Sequence, residues 1–94
     1  MSELVLTPRF ERAFRRLIGK SPALQPQIER ALMRLAEDAN DPRLKTHQLS
    51  GHLKGLHASS VAYDCRIVFS KQKHPITGVE TLLLINIGTH EEVY

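Results

Sequence analysis

The sequence lacks the features that define several large classes of protein. Among its 94 residues there is one cysteine and no tryptophan, and aromatic residues make up 5%. A single cysteine excludes an internal disulfide framework and a cysteine-rich metal site. No run approaches the ~20 consecutive apolar residues that cross a membrane, and the first residues do not form the apolar segment of a signal peptide. These absences predict a cytoplasmic protein that has no membrane partner.

The length and the overall composition are those of one ordinary globular domain. Residues 1–94 are too few to build two hydrophobic cores, so we expect a single domain. Hydrophobic residues make up 41% of the chain and charged residues 24%, which argues against a disordered chain or a coiled coil. A chain of this size buries roughly two-thirds of its unfolded surface, so individual apolar residues weigh heavily in its stability.

Acidic residues are scarce in the middle of the chain. Between Arg43 and Gly78 there are six Lys or Arg residues but only one acidic residue, Asp64. The same stretch holds four histidines, His47, His52, His57 and His74. A basic, histidine-rich segment suits a partner that is rich in phosphate. A merely solvated basic surface would have the same composition, so charge alone leaves both interpretations open.

Hydrophobic periodicity predicts a strand followed by two helices. Residues 3–6 form a short apolar strand, and Thr7-Pro8 is typical of a helix N-cap followed by proline in the first turn. Apolar residues then recur at helical spacing over residues 10–18, with Gly19 in the place of a C-terminal cap. A second helix is predicted over residues 26–38, because a run of helix-breaking residues follows it.

Three strands are predicted after a polar loop over residues 43–55. They cover residues 56–62, 65–70 and 81–87, and the last is an almost unbroken apolar run typical of a central strand. This order of elements predicts an α+β fold, in which an antiparallel sheet of about four strands carries the N-terminal helix pair on one face. The predicted core residues are Phe10, Phe14, Leu17, Leu32, Leu35, Ile67, Phe69, Leu83 and Ile85.

The familiar signatures of cofactor and metal sites are absent. There is no glycine-rich phosphate loop, no H-E-x-x-H, no C-x-x-C and no G-x-S-x-G. The five histidines share no spacing that would bring them onto one metal ion. We therefore expect neither a metal nor a cofactor.

Several of the remaining side chains suit acid/base chemistry on a phosphodiester. His47 lies in the basic loop, and Asp64 and Arg66 flank the start of a strand. His90 and Tyr94 follow the last strand. RNA cleavage without a metal needs a base for the 2′-hydroxyl, an acid for the leaving oxygen and cations near the phosphate. Imidazole and guanidinium groups can supply these functions, although each residue also has an ordinary interpretation as a surface, turn or ion-pair residue.

Three segments of the chain form a recognisable pattern together. Residues 47–55 read H-Q-L-S-G-H-L-K-G, residues 63–69 read Y-D-C-R-I-V-F, and residues 87–94 read I-G-T-H-E-E-V-Y. They resemble, in turn, the H-x-L-x-G-x-x-x-G loop, the D-x-R strand and the G-T-H-x-x-x-aromatic tail of YafQ-like toxins, a branch of the RelE/ParE superfamily. The helix pair and the order of elements are similar as well, so the resemblance covers nearly the whole chain.

The resemblance implies a RelE-like fold and a ribosome-dependent mRNA endoribonuclease, the toxin of a type II toxin–antitoxin pair. His47, Asp64 and His90 match positions implicated in the branch. Arg66 matches the strand arginine of RelE-like relatives, and Tyr94 matches the terminal aromatic residue. The resemblance then makes His47 and His90 the base and the acid in either order. Asp64 would orient a histidine or position substrate, Arg66 would stabilise phosphate charge, and Tyr94 would contact the nucleotide.

Two positions depart from the pattern of the branch. Ser60 stands where the branch has a further histidine, and a serine hydroxyl cannot act as a base near neutral pH. Either His47 and His90 share the proton transfers, or His57 substitutes from a neighbouring position, or cleavage is weaker. Cys65 stands where the branch often has tryptophan, which removes a stacking surface.

The predicted partners follow from the resemblance and from the basic charge. A cognate antitoxin would hold the toxin inactive in a hetero-oligomer, and the ribosome and mRNA would be the targets. The residues expected to hold RNA electrostatically are Lys45, Lys54, Arg12 and Arg16. Two alternatives stay open, a ParE-like toxin that binds DNA gyrase and an RNA-binding module that does not cleave.

Overall fold

The computed structural model describes all of residues 1–94. The strands are β1 (Glu3–Leu6), β2 (His47–Gln48), β3 (His57–Ala62), β4 (Cys65–Lys73) and β5 (Glu80–Gly88). The helices are α1 (Pro8–Lys20), α2 (Leu24–Glu37) and α3 (His90–Val93). Two short 3₁₀ turns, Pro42–Leu44 and Gly51–Leu53, lie on either side of β2. No helix is long and apolar enough to cross a membrane.

The strands form one five-stranded sheet in the order β1-β5-β4-β3-β2. β1 runs parallel to β5, whereas the other neighbouring strands are antiparallel. The predicted α+β fold is confirmed, but the sheet has five strands rather than about four and is mixed rather than antiparallel. The additional strand, β2, lies inside the predicted loop and has only two residues, too few to leave an alternating pattern in the sequence.

The N-cap of α1 is confirmed, and it also attaches the helix to the sheet. The Thr7 hydroxyl accepts the N–H of Phe10 at 3.1 Å and donates to the carbonyl oxygen of Leu84 at 2.8 Å. The prediction that Gly19 caps the C-terminus is wrong, because the helix continues through Lys20 and Ser21 is its C-cap. α2 begins two residues earlier than predicted, which puts Pro26 in its first turn, where a missing N–H is tolerated.

Both long helices pack against the same face of the sheet. Phe10 of α1 and Leu35 of α2 are buried in one cluster with Ile67 and Phe69 of β4. These four predicted core residues are confirmed as buried. Three others of the predicted core, Phe14, Leu17 and Leu32, are only partly buried beside the cluster.

The prediction for β5 chose the wrong side of the strand. Leu82 and Leu84 are fully buried in the core, whereas Leu83 and Ile85 are only partly buried and do not belong to it. The pairing of β4 with β5 shifts register between Val68 and Phe69. This β-bulge breaks the simple alternation, so the side of an unbroken apolar run could not be read from its sequence.

The sheet face opposite α1 and α2 carries neither long helix, and we call it the open face, although Ala58 and Val68 on it are buried. Cross-strand partners in an antiparallel sheet point to the same side, and the pairing of His47, Ala58, Val68 and Asn86 forms one row across four strands. Val68 alternates with the core residues Ile67 and Phe69, so this row belongs to the open face. The open face is therefore where His47 lies.

Candidate functional site

The end of β5 and the β3–β4 turn meet at one end of the sheet. Asp64, in that turn, accepts the backbone N–H of His90 on its Oδ1 atom at 3.1 Å. The two residues are 26 positions apart in the chain, and the pairing of β4 with β5 brings them together. The structure thus places Asp64 directly at the start of α3, where it holds the main chain of His90.

A capping box fixes the short helix that carries His90. Thr89 accepts the N–H of Glu92 at 3.3 Å, and the Glu92 carboxylate accepts the N–H of Thr89 at 2.9 Å. That bond from the main chain lowers the pKa of Glu92, and the positive charges of Lys20 and Arg16 act in the same direction. A Cβ atom at Gly88 would lie 2.8 Å from Oε1 of Glu92, so a larger residue there would push the Glu92 carboxylate away from its place in the capping box.

His90 and Tyr94 lie on the same side of α3 and touch. Their ring centroids are 4.6 Å apart and their planes meet at 85°, an edge-to-face contact. The Tyr94 hydroxyl is buried and has no hydrogen-bond partner. Burial raises the pKa of Tyr94, although the charge of Arg66 opposes the shift. Tyr94 therefore limits the orientations open to the His90 imidazole and keeps its own proton at neutral pH.

Arg66 lies on β4 beside the same turn. Its Nη1 atom donates to the carbonyl oxygens of Ala62, Tyr63 and Cys65 at 3.0, 3.3 and 3.1 Å. Because all three bonds use Nη1, the Nε and Nη2 atoms remain for another acceptor. A guanidinium group anchored at one corner in this way can present its other donors to a phosphate.

His47 shares the open face with these residues but does not touch them. Its Nδ1 atom lies 3.2 Å from the carbonyl oxygen of Lys45, which has a left-handed backbone with φ 49°. β2 and β4 are separated by β3, so His47 stands about 10 Å from the strand of Arg66. A ligand that contacts both must extend across the sheet.

Ser60 and His57 lie on opposite faces of the sheet. Ser60 pairs with Arg66 across β3 and β4, so it lies next to the candidate site. His57 instead pairs with Phe69 on the helix-covered face, with ring centroids 5.6 Å apart. Burial lowers the pKa of His57. His57 therefore does not substitute for the histidine that the resemblance would place at Ser60.

The predicted RNA-binding residues do not form one patch. Arg12 and Arg16 line a groove of about 540 Å³ between α1 and the end of β5. Lys54 lines a different cavity, near the β2–β3 connection, and Lys45 lines neither. The groove also contains Arg9 and Lys20, which were not among the predicted RNA-binding residues. Their spacing along α1 was the available signal, since the four residues share one side of the helix.

Cys65 and the histidines form no further reactive cluster. Cys65 is buried, and burial raises the pKa of its thiol to about 11, so the thiol stays protonated. Nowhere do three His, Cys, Asp or Glu side chains converge as ligands for a metal ion.

Comparisons with known proteins identify the fold through structure. No protein-family model matches the sequence, and no curated protein matches it. YafQ from E. coli strain BL21(DE3) matches all of this chain and 99% of its own, with a TM-score of 0.77 and 16% sequence identity. A copper-bound mutant toxin from Helicobacter pylori matches all of both chains, with a TM-score of 0.78 and 21% identity.

A third match extends the likeness to another toxin type. The YoeB/ParE toxin from Agrobacterium tumefaciens covers 94% of this chain and 98% of its own, with a TM-score of 0.74 and 15% identity. All three matches span nearly the full length of both chains, so they concern the whole arrangement of helices and strands. The protein therefore has the RelE/ParE-type toxin fold, as the three sequence segments predicted.

Proposed function

We propose that the protein is the toxin of a type II toxin–antitoxin pair and that it cleaves mRNA on the ribosome by metal-free acid/base chemistry. The observation that carries the proposal is the meeting of Asp64, His90 and Tyr94 at one end of the sheet, beside Arg66. A gyrase-binding surface would not require a histidine fixed by its main chain and by an aromatic ring. An acid/base catalyst does require it, because proton transfer depends on position.

The cleavage step uses the 2′-hydroxyl of the RNA as the nucleophile. A base removes the proton of this hydroxyl, whose oxygen attacks the adjacent phosphorus atom. The bond to the 5′-oxygen of the next nucleotide breaks, and an acid returns a proton to that oxygen. The products are a 2′,3′-cyclic phosphate and a free 5′-hydroxyl, with no net gain or loss of protons.

The side chains divide these tasks according to their positions. His90 transfers one proton and His47 the other, and because both protons move at the same phosphate, that phosphate must lie between β2 and the rim of the sheet, within reach of both imidazoles. Arg66 binds the phosphate through Nε and Nη2, because Nη1 is already occupied. Tyr94 orients the imidazole of His90 and contacts the nucleotide. Asp64 acts through the main chain of His90.

The antitoxin partner is proposed by analogy of fold. The E. coli DinJ-YafQ toxin-antitoxin complex contains a chain that matches 99% of this protein with a TM-score of 0.72. A free ribosome-directed nuclease would harm the cell that makes it, and a dedicated inhibitor would remove that hazard. We propose that such an antitoxin binds this chain in a hetero-oligomer.

The proposal is tested by primer extension on mRNA in a translation extract, with and without added chelator. The wild type should produce discrete cuts that depend on ribosomes and that persist with a chelator selective for transition metals, since the ribosome itself requires Mg²⁺. His90→Ala should slow cleavage by roughly 10²–10⁴-fold, the usual contribution of a general acid or base. The matched control is His52→Ala, which removes an exposed histidine outside the site. Full cleavage by His90→Ala would refute the acid/base assignment.

A gyrase assay distinguishes the proposed nuclease from the ParE-like alternative. Inhibition of DNA gyrase supercoiling by the wild type, without any mRNA cuts, would establish the ParE-like alternative instead.

Ser60→His restores an imidazole beside Arg66 on the open face. Faster cleavage by this variant would show that the missing histidine limits the rate.

A further inference from the structure

Four cations line one groove at the edge of the sheet, between α1 and the end of β5. They come from α1 and are Arg9, Arg12, Arg16 and Lys20. The first and last are 11 positions apart along the helix, so their Cα atoms span about 16 Å. The opposite wall of the groove includes Asn86 and Ile87 of β5 together with Thr89 and Glu92. The groove is thus a cationic channel that ends at the residue preceding His90.

None of these four cations forms an ion pair, although the charges of Lys20 and Arg16 are near enough to Glu92 to lower its pKa. The two ion pairs of the protein lie elsewhere, between Arg15 and Glu11 and between Arg43 and Asp41. Glu92 is the one acidic residue in the groove, and its carboxylate is already engaged by the N–H of Thr89. Like charges so close together repel each other, so an anionic ligand would relieve an unfavourable interaction.

The strand that forms the other wall also has an unpaired edge. β1 ends at Leu6, opposite Leu84, and leaves the remainder of β5 without a strand on that side. There the N–H of Ile87 is satisfied by the side chain of its own neighbour, the Oδ1 atom of Asn86, at 2.9 Å. Rotation of one side chain would free this N–H, and backbone N–H groups are common donors to phosphate oxygens.

We propose that this groove binds the phosphodiester backbone of RNA, at a site separate from the one where the RNA is cut. The inference rests on the proposed function in that it takes RNA as the ligand. The groove holds phosphates along α1 and leads the strand past Thr89 to His90 at the rim of the sheet. It therefore contributes affinity for RNA without contributing to proton transfer.

The lining of the groove favours nucleic acid over an acidic protein segment. Peptides that dock in grooves are anchored by apolar side chains in apolar pockets. Only three of the eleven lining residues here are hydrophobic. Three of the four cations are arginines, whose planar guanidinium groups bind pairs of phosphate oxygens. These features fit a ligand that is bound through its backbone charge.

The test measures binding by fluorescence anisotropy with a labelled 2′-O-methyl RNA dodecamer, which lacks the attacking hydroxyl and cannot be cut. Arg12→Ala combined with Arg16→Ala should weaken binding by about tenfold or more at low salt. The log–log salt slope should fall by about 1.4, because each lost phosphate contact in single-stranded RNA contributes roughly 0.7. Arg12 and Arg16 are exposed, so the variant is expected to keep its fold, which thermal unfolding verifies.

Arg15→Ala is the matched control for the single variants Arg12→Ala and Arg16→Ala, since it removes one charge from the same helix outside the groove. It should change affinity by less than about twofold. If Arg15→Ala weakens binding as much as either groove arginine alone, the cations act only through net charge and the proposal is wrong. Glu92→Gln, which keeps an acceptor for the capping box, should tighten binding by removing the groove's one negative charge.

Two comparisons distinguish this inference from the proposed function. Loss of binding in the arginine variant, together with absence of mRNA cleavage by the wild type, would support the groove and refute the nuclease. Normal RNA binding by that variant, with cleavage by the wild type, would refute the groove and support the nuclease. Tighter binding of a glutamate dodecamer peptide than of the RNA dodecamer would assign the groove to an acidic protein segment and overturn the choice of ligand.

Discussion

At the scale of single residues, Asp64 illustrates how a carboxylate can serve a site through the main chain. Its one hydrogen bond to the candidate site goes to the N–H of His90 and not to an imidazole. Such a bond needs an acceptor oxygen and does not need a negative charge. The structure therefore favours a positioning role for Asp64, which fixes where α3 begins.

This role predicts different outcomes for two substitutions of Asp64. Asp64→Asn keeps an acceptor oxygen and should retain most of the cleavage activity. Asp64→Ala loses the bond, at a cost of about 0.5–1.5 kcal/mol to local stability. Cleavage should fall, and exchange of the His90 amide hydrogen, followed by NMR, should accelerate. Equal loss of activity in both variants would show that the charge of Asp64 matters instead.

His57 predicts a pH dependence of stability. Burial lowers its pKa in the folded protein, so below the ordinary value of about 6.5 the unfolded chain takes up a proton that the folded chain does not. Above that pH, burial of the neutral His57 imidazole does not reduce the stability of the folded protein. As the pH falls from that value toward the folded-state pKa of His57, proton uptake by the unfolded chain lowers the free energy of unfolding. Urea unfolding at pH 7.5, 6.5 and 5.5 should therefore show wild-type stability decreasing.

The control for this prediction is His57→Phe. The substitution keeps an aromatic ring opposite Phe69 but removes the titrating group. The variant should lose less stability than the wild type over the same pH range. Parallel curves for the two proteins would mean that other groups cause the pH dependence.

At the scale of elements, α3 is too short to be stable without its caps. It has four residues and depends on the capping box of Thr89 and Glu92. Thr89→Ala should cost about 1 kcal/mol, measured by urea unfolding, and should reduce cleavage because His90 loses its fixed position. Thr89→Ser keeps the capping oxygen and should behave almost as the wild type. A defect of equal size in the serine variant would contradict this explanation.

Some elements could be predicted from the sequence because their signals are local. The Thr7-Pro8 start of α1 and the strand at residues 3–6 are examples. The capping box at Thr89 and Glu92 was equally readable, from the T-x-x-E spacing, but was missed. β2 and the bulge beside Phe69 left no such signal, because they arise from pairing with strands distant in the sequence. The register of the sheet, and with it the buried side of β5, could therefore not be predicted from the sequence.

The sequence could indicate candidates for the site residues but not their contacts. The sequence placed His47, Asp64 and His90 in one site through family resemblance. It did not indicate that Asp64 would bind the main chain of His90, or that His47 would stand two strands away from Arg66. Both facts depend on the register of the sheet, which short-range patterns do not determine.

At the scale of the whole molecule, the core lies closer to the start of α1 than the sequence predicted. Phe10 is 1% exposed, whereas Phe14 is only partly buried. Phe10→Ala should therefore destabilise the protein by about 3–5 kcal/mol, measured by urea unfolding. Phe14→Ala should cost clearly less, since its surroundings already admit water. The reverse order would mean that the apolar side of α1 is packed differently.

Because β1 pairs with β5, the first strand cannot take its place in the sheet until the last strand has been synthesised. The hydroxyl of Ser2 bonds to Glu80, 78 positions along the chain. At about 5–20 residues per second, the start of the chain waits roughly 4–16 seconds on the ribosome before its partner is made. His90 and Tyr94 are added later still. The candidate site is thus assembled only after the strands that hold it, β4 and β5, and the residues of α3 have all been made.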